Sequence, residues 1–274
     1  MSKPTRYAPI GEQRRREIAQ MVRQKGTIST IELVDHFKLS PMTIWRDLKA
    51  LEDMGVIQRV RGGAASLDDT TGEPIYTHKK SINSRQKESI AHYAAVNFVQ
   101  DGQIIILEAG TTVMAMVKYL DRRDLTVISN GLGVLNELST MLTTLTVISC
   151  GGVMRDVSKT FIGPQAEQFF ETVQAHLLFL SATGITIEGG ISDPSPLEIQ
   201  VKRAMISSAE RVILLIDSSK FGIRSLNQVL PIEQVHAIVT DKEPAAKYID
   251  WLARANVELH IAPLKRGWSI ASNR

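Results

Sequence analysis

A Gly-Thr-Thr triplet follows one of the most apolar stretches of the sequence, and its residue types suit the binding of an anion. Gly110 comes after the run "QIIILEA", and Thr111 and Thr112 precede a second apolar segment. Glycine lets a ligand approach the backbone, threonine hydroxyls donate hydrogen bonds, and the N-terminus of a following helix favours negative charge. The triplet lacks the Gly-Lys-Ser/Thr ending of a nucleotide-binding loop. We therefore predict a phosphate site that does not take ATP.

Polar and small residues end several other apolar runs. Asn130 and Gly131 are candidates for bonding sugar hydroxyls, and the pair Gly151 and Gly152 would allow close approach of a ligand. The remaining candidates are two counter-charges for phosphate and one acceptor for a hydroxyl group: Lys202, Lys220 and Asp217.

Each of these candidates also has a simple structural alternative. The glycines are equally compatible with ordinary turns. Asp217 can cap the turn that follows it, and Glu198 and Lys202 stand at i, i+4, where a surface ion pair is the usual arrangement.

The segment "LSPMTIWRDLKALEDMGVIQRVRGGA", residues 39–64, resembles in composition a helix that contacts nucleic acid. Ser40 can cap this helix, and three apolar residues recur at i, i+4 and i+7, namely Ile44, Leu48 and Leu51. The outward side chains and the arginines of the next, extended segment are the candidate DNA contacts: Ser40, Met42, Thr43, Trp45, Arg46, Lys49, Arg59 and Arg61.

The charge distribution supports a basic module at the start of the chain. Residues 1–67 hold 12 Lys and Arg against 7 Asp and Glu, whereas the other 207 residues hold 20 against 22. Such an asymmetry indicates a small domain that meets a polyanion. Arg14, Arg15 and Arg16 stand on one predicted helix and cannot all face the same groove, so we expect one or two of them at most to contact phosphate.

Helical periodicity precedes the first sheet-like segment. Helices are predicted from about Glu12 to Lys25, after the cap Ser29 to about Phe37, and from Pro41 until Gly55 ends the third one. The second and third, joined by a short turn, form a helix-turn-helix over about residues 29–48. An α-helix fills the major groove of B-DNA, and its N-terminal residues reach the base edges.

Short apolar runs alternate with helical segments over residues 84–262. The strand candidates are "IIILEAGTT", "LTVISNG", "LTVISCGG", "HLLFLSATG", "RVILLIDSS", "HAIVTD" and "VELHIA", and the helix candidates include "VMAMVKYL", "PQAEQFFETV", "LEIQVKRAMISSA" and "AAKYIDWLARA". This alternation predicts an α/β domain with a parallel sheet covered on both faces, whose ligand crevice lies at the carboxyl ends of the strands. Residues 66–83 are predicted as a linker, and 263–274 as a polar tail.

Several other classes of protein are disfavoured. Cys150 is the one cysteine, which fits a reducing cytoplasm and a buried apolar position more than a reactive thiol. The histidines lack metal-ligand spacing, so we predict neither a metal nor another cofactor. The first twenty residues have no apolar segment typical of a secretory signal, and no run is long enough to span a bilayer.

The segment "GTISTIELVDHFKLSPMTIWRDLKALEDMGVIQRVRGGA" resembles the N-terminal winged helix-turn-helix of DeoR-type transcriptional regulators. The family signature is Ser-x-x-Thr-Ile-Arg-Arg-Asp-Leu followed by Gly-Gly-Ala after the wing, and the matching residues are Ser40, Thr43, Ile44, Arg46, Asp47, Leu48, Gly62, Gly63 and Ala64. Trp45 departs from the arginine of the family. We expect its indole to contact a thymine methyl group or a sugar, or to lie against the wing.

The resemblance continues through "LEAGTT", "VISNGLGVLNEL", "GGVMR", "FIGPQA", "SATGI", "VKRAM" and "IDSSKFG". It implies a Rossmann-like sensor domain, related to ribose-5-phosphate isomerase and CoA transferases, over residues 84–262, after a winged helix-turn-helix domain over residues 1–65. Glu108 stands where the family has an aspartate, so its carboxylate reaches about one methylene further.

Two functions are therefore open. The first is a DNA-binding repressor of a carbohydrate-utilisation operon, homo-oligomeric as a dimer or tetramer, which binds double-stranded operator DNA under the control of a phosphorylated sugar or sugar derivative. The second is a sugar-phosphate isomerase or acyl-transfer enzyme with an accessory DNA-binding module, for which Glu108, Lys202 and Asp217 would be the acid-base groups. The family resemblance favours the non-enzymatic regulator and implies no catalytic residue.

Overall fold

Four helices and a three-stranded antiparallel sheet make up the described residues of the first part of the chain. The computed structural model describes residues 10–54, 56–60, 62–66, 76–120, 124–141, 145–262 and 264. Its contacts divide the chain between Ser81 and Ile82 into two units, which are described separately.

The N-terminal unit has the elements of a winged helix. They are α1 Ile10–Lys25, β1 Thr27–Ser29, α2 Thr30–Phe37, α3 Pro41–Asp53, β2 Ile57–Val60, β3 Gly63–Ser66 and α4 Tyr76–Ser81, with sheet order β1-β3-β2. The predicted caps are confirmed, since Ser29 Oγ accepts from Glu32 N at 3.1 Å and Ser40 Oγ accepts from Thr43 N at 3.2 Å. The predicted inward residues of α3, Ile44, Leu48 and Leu51, lie in one buried cluster with apolar residues of α1, α2 and the sheet.

Strand β1 was not expected from the sequence, because three residues are too few to show a strand period. It pairs with β3, which brings Ser29 opposite Gly63. A Cβ atom on Gly63 would lie 2.0 Å from the carbonyl oxygen of Ile28. The second glycine of the Gly-Gly-Ala match is thus required by the close approach of two backbones.

The C-terminal unit begins with a helix and then alternates strands with helices. Its helices are α5 Ser84–Phe98, α6 Thr111–Met114, α7 Leu132–Leu138, α8 Pro164–Glu171, α9 Pro196–Ser207 and α10 Ala246–Arg254. Its strands are β4 Ile104–Leu107, β5 Leu125–Ser129, β6 Leu145–Ser149, β7 Val153–Arg155, β8 Thr160–Ile162, β9 Ala175–Leu180, β10 Gly184–Thr186, β11 Gly190–Asp193, β12 Ala209–Leu215, β13 Asn227–Leu230, β14 Ala237–Thr240 and β15 Glu258–Ile261.

The predicted parallel sheet is confirmed. Seven strands lie in the order β15-β14-β12-β9-β4-β5-β6, and every pairing between them is parallel. Adjacent residues Ile105, Ile106 and Leu107 are all fully buried, so both faces of β4 are covered. The chain moves outward from β4 to β6 and returns to β9 beside β4. This reversal of strand order falls at the carboxyl ends of β4 and β9, where the predicted ligand crevice would lie.

Some local expectations were wrong. The segment "VMAMVKYL" is not one helix, because α6 ends at Met114 and a separate 3₁₀ turn covers Val117–Tyr119. The interval predicted as a linker contains α4, whereas residues 67–75 lie outside the described part, as do Gly55 and nearly all of the predicted tail. The hairpin of β7 and β8 and the small sheet β10-β11-β13 were also not expected, since each of their strands has only three or four residues.

Replacing Gly63 by alanine should destabilise the N-terminal unit by about 1–3 kcal/mol, because the new methyl group forces β1 and β3 apart. Urea unfolding followed by the fluorescence of Trp45, with Trp251 and Trp268 changed to phenylalanine, would measure the loss. Ala65→Ser on the same strand is the matched control and should change stability by under about 0.5 kcal/mol. Equal midpoints for Gly63→Ala and its parent would contradict the prediction.

Candidate DNA interface and effector site

The outer face of α3 carries most of the predicted DNA contacts. Met42 is 59% exposed and Trp45 47% exposed, while Arg46 is exposed and Thr43 is half-buried with its hydroxyl 2.9 Å from that of Ser40. Lys49 is exposed and lies 3.4 Å from Asp53. These side chains share the surface that a major groove would meet.

Asp47 has a structural role in this unit that was not predicted from the sequence. It is 3% exposed, and its carboxylate accepts from Arg14 Nε at 2.6 Å and Arg15 Nη1 at 3.4 Å. The two arginines therefore hold α1 against α3. Arg16 forms an exposed ion pair with Glu12, so all three arginines have carboxylate partners within the unit.

The wing of this unit contains Arg59, whose side chain lies against α3. Its guanidinium carbon is 4.8 Å from the centroid of the Trp45 ring, and its Nε is 3.0 Å from Glu52 Oε2. Of the two alternatives for Trp45, the structure shows the indole in contact with the wing. Arg61 lies outside the described residues, and DNA contact by either arginine stays a prediction.

In the C-terminal unit, the carboxylate of Glu108 bridges the ends of β4 and β9. Its Oε2 accepts from Gly110 N at 2.9 Å, Ser181 N at 3.3 Å and Ser181 Oγ at 2.9 Å. The longer reach of glutamate lets it close this loop. Gly110 is required here because a Cβ atom would lie 1.7 Å from Ser181 Oγ.

Lys202 occupies the centre of the same cluster and is 4% exposed. Its ammonium lies 2.6 Å from Asp193 Oδ2 and 3.3 Å from Glu108 Oε1, and it donates to Ser181 O at 2.8 Å. Burial alone would lower the pKa of Lys202, but the charges of Asp193 and Glu108 outweigh it and raise this pKa above its ordinary value. Lys202 thus stays protonated and supplies one positive charge between the two carboxylates.

The i, i+4 surface pair expected between Glu198 and Lys202 is wrong, because both side chains are buried and bond elsewhere. Glu198 Oε1 accepts from Arg155 Nη1 at 2.9 Å, from Thr160 Oγ1 at 3.1 Å and from Ser158 Oγ. This network fastens the hairpin of β7 and β8 to α9.

The Gly-Thr-Thr triplet begins α6 as predicted, and both threonines are buried. Lys87 on α5 donates to Thr111 Oγ1 at 2.9 Å and is itself buried. This lysine was not predicted, since nothing in its local sequence distinguishes it from other lysines on polar helices. It places a positive charge beside the triplet.

Asn130 and Gly131 serve to hold loops together. Asn130 Oδ1 accepts from Ala109 N at 3.1 Å and its side chain is buried, which leaves its amide poorly placed for the predicted bonds to sugar hydroxyls. A Cβ atom on Gly131 would lie 2.6 Å from Ala109 Cα. Both residues therefore fix the strand-end loop that carries Gly110.

The other predicted site residues divide between close contacts and caps. Gly151 and Gly152 have positive φ, and a Cβ on Gly152 would meet Ile162 O at 2.7 Å. Asp217 is buried and caps the turn at Ser218–Lys220, and it accepts from Asn83 Nδ2 at 3.0 Å. The capping alternative for Asp217 is thus the observed one. Lys220 is partly exposed at the end of that turn.

A wide groove of about 850 Å³ lies at the opposite, amino ends of β9 and β12, where its lining includes Ala175 and Ala209. Three glutamates also line it, and its Arg203 donates to the carbonyls of Gln228 and Val229. This groove is poorly suited to an anion. The buried charges at the carboxyl ends of the strands make the stronger ligand site.

Together, a winged helix-turn-helix and a parallel-sheet unit with a charged strand-end site define a ligand-sensing transcriptional regulator. Residues 14–70 match the family model "DeoR-like helix-turn-helix domain", and residues 82–242 match "DeoR C terminal sensor domain". The chain belongs to the DeoR family.

Two relatives illustrate the family. The transcriptional repressor AccR of Agrobacterium fabrum (strain C58) is 36% identical over 84% of this chain and 89% of the relative. The glycerol-3-phosphate regulon repressor of Escherichia coli (strain K12) is 31% identical over 91% of this chain and 98% of the relative. Among solved structures, ribose 5-phosphate isomerase from Plasmodium falciparum is 16% identical, with a TM-score of 0.37 over 51% of this chain and 53% of its own.

The described residues contain neither a membrane-spanning helix nor a group of side chains arranged for a metal ion. No helix within them has the length and apolarity to cross a membrane. Among the same residues, no group of three or more His, Cys, Asp and Glu side chains is arranged to hold a metal ion.

Burial raises the pKa of Cys150 to about 12, so its thiol is protonated at neutral pH and behaves as a small apolar side chain.

Lys202→Met should lower the free energy of unfolding of the C-terminal unit by about 3–5 kcal/mol near pH 8, because it leaves two buried carboxylates without their cation. Lys202 keeps its charge at all pH values below its raised pKa. Acidification therefore does not reduce the contribution of this group to the free energy of unfolding of the parent protein.

Urea unfolding near pH 8 would measure this loss of stability. Lys220→Met, which removes a partly exposed lysine from the same unit, is the control and should change stability by about 0.5 kcal/mol or less. A loss of stability in Lys202→Met no larger than that in Lys220→Met would argue against the assigned ion pairs.

Proposed function

We propose that the protein is a cytoplasmic repressor of a carbohydrate-utilisation operon whose DNA binding is controlled by a phosphorylated sugar or sugar derivative. The observation that carries the proposal is the buried cluster of Lys202, Glu108 and Asp193 at the carboxyl ends of β4 and β9. Buried charges of this kind concentrate at functional sites. In an open parallel sheet the point where strand order reverses is the usual place for a ligand.

Two chemically different groups lie near this crevice, and each suits one part of a sugar phosphate. The carboxylates of Glu108 and Asp193 are acceptors for sugar hydroxyls. Lys87, with the hydroxyls of Thr111 and Thr112, suits the phosphate. One relative is named a glycerol-3-phosphate regulon repressor, and this name supports an effector that combines hydroxyls with a phosphate.

The DNA half of the proposal depends on the exposed face of α3. Arg46 and Thr43 lie near its N-terminus, where side chains of a recognition helix reach base edges and phosphates. A two-fold symmetric dimer or tetramer would place two such helices about one DNA turn apart. The effector then acts through a difference in its affinity for the DNA-bound and free states, about 1–3 kcal/mol in typical allosteric proteins.

The protonated state of Lys202 favours sensing over catalysis. A lysine whose pKa is raised holds its proton at neutral pH, so it cannot serve as the general base that isomerisation requires. Glu108 accepts from two backbone N–H groups and one hydroxyl, which suits a fixed structural anion. These contacts support a regulator, and turnover of pentose or hexose phosphates would contradict it.

The purified full-length protein should shift double-stranded DNA from upstream of its own operon, with affinity that falls steeply as salt rises. Arg46→Ala should lower that affinity by about 10- to 100-fold, since it removes a charged contact to DNA. Lys247→Gln, which removes an exposed charge from α10 of the other unit, should leave affinity within about twofold. DNA binding that is insensitive to salt, or unaffected by Arg46→Ala, would refute the assignment of α3.

A panel of sugar phosphates, tested against the same sugars without phosphate, should contain a compound that changes operator affinity by about 5- to 150-fold and raises Tm. Thr111→Val removes the hydroxyl that bonds Lys87 and should weaken the response to that compound about tenfold, with DNA affinity in its absence unchanged. Thr146→Val, at an exposed position of β6, is the matched control. An equal response to the unphosphorylated sugars would contradict a phosphate site.

A further inference from the structure

The contact between Trp45 and Arg59 gives the departure of this chain from the family signature a specific role. Trp45 lies on the second turn of α3, and Arg59 lies on β2 of the wing, with its guanidinium 4.8 Å from the ring centroid. Glu52 stands seven residues after Trp45, on the same side of the helix. Arg59 therefore extends along two turns of α3 between an aromatic face and a carboxylate.

The guanidinium of Arg59 is incompletely satisfied by ordinary acceptors. Its Nε and Nη1 atoms are buried and, within the described residues, have no well-aligned hydrogen-bond acceptor, although Nε lies 3.0 Å from Glu52 Oε2. Buried donors without partners are costly. The face of an indole carries negative potential and attracts a cation within about 6 Å, so Trp45 compensates for the missing acceptor.

An arginine at position 45 would have the opposite effect. Two guanidinium groups would then compete for Glu52 and repel each other across the same surface. The backbone N–H of Arg59 also donates to Glu52 Oε1 at 3.2 Å, so both the main chain and the side chain of β2 are held to α3. The tryptophan thus suits a wing fixed to the recognition helix.

We infer that Trp45 is a positioning residue for Arg59, and that the two side chains bind DNA as one unit in which Arg59 Nη2 is the contacting atom. Nε and Nη1 are buried, which leaves Nη2 as the guanidinium nitrogen that DNA can reach. This inference rests on the proposed DNA-binding function and assigns Trp45 no direct contact with a base. It replaces the expectation of an indole that reads a thymine methyl group.

A double-mutant cycle on operator affinity tests the coupling in the full-length protein. Trp45→Leu and Arg59→Met should each lower affinity about tenfold, and the double variant should lose little more than either single variant, because both remove the same contact. Trp45→Phe keeps an aromatic face and should restore most of the affinity, whereas Trp45→Leu keeps only apolar bulk. Losses that multiply to about a hundredfold would overturn the inference.

Two further measurements separate this inference from its alternatives. Replacing each thymine of the operator half-site by uracil removes the methyl group, and wild-type affinity should change less than twofold at positions next to Trp45. A larger loss that disappears in Trp45→Leu would identify a direct base contact and overturn the positioning role.

The second measurement needs no DNA. In protein labelled at the arginine side chains, the Arg59 Nε–Hε NMR signal should show an upfield ring-current shift that is lost in Trp45→Leu and retained in Trp45→Phe. Absence of that shift in the wild type would disprove the stacking. If the shift is present but the protein binds no DNA, both the proposed function and the DNA-binding role of Trp45 and Arg59 are refuted. The contact between the two side chains would still be confirmed.

Discussion

The buried ammonium group of Lys202 sets the architecture around the strand ends of the sensor unit. Lys202 has three N–H donors and three oxygen partners, which come from the end of β4, the loop after β9 and the end of β11. A charge at this depth is tolerated only where its partners are held in place. The three segments must therefore converge on α9, and the strand-end crevice forms where they meet. Glu108 extends the same arrangement to Gly110, so the start of the Gly-Thr-Thr triplet is fixed by the cluster as well.

The sequence predicted the elements of this arrangement better than their connections. Continuous apolar runs are a strong signal, and all seven strands of the parallel sheet were located from them. The partner of Lys202 was assigned wrongly to Glu198, because a helical period reveals only neighbours on the same helix. The actual partner Asp193 belongs to a short strand of a second sheet, where no period is visible. Likewise, Lys87 reaches Thr111 only through tertiary packing.

In the DNA-binding unit the buried ion pairs also come from tertiary packing, but here the sequence did contain a signal for them. Asp47 stands three residues after Ile44 and one before Leu48, on the inward stripe of α3. A carboxylate on an apolar stripe requires buried cations, and Arg14 and Arg15 supply them from α1. Charge excess alone pointed these arginines toward DNA. The burial of Asp47 outweighs this indication of DNA contact. Among the residues described, Arg14 and Arg15 are the cations nearest to its carboxylate.

The satisfied state of Lys202 also limits how an effector can act on the sensor. Because its three donors already face Asp193, Glu108 and Ser181, a ligand that bonds this ammonium must displace one of these oxygens. Exchange of one acceptor for another changes the free energy only slightly. The same exchange releases a strand-end segment from the cluster. A ligand that bonds the carboxylates from outside, without such exchange, would leave the segments in place. The two modes differ in whether the loop from Ser181 to Asp193 moves, and a ligand shifts a conformational equilibrium only as far as it binds the two conformations with different affinity.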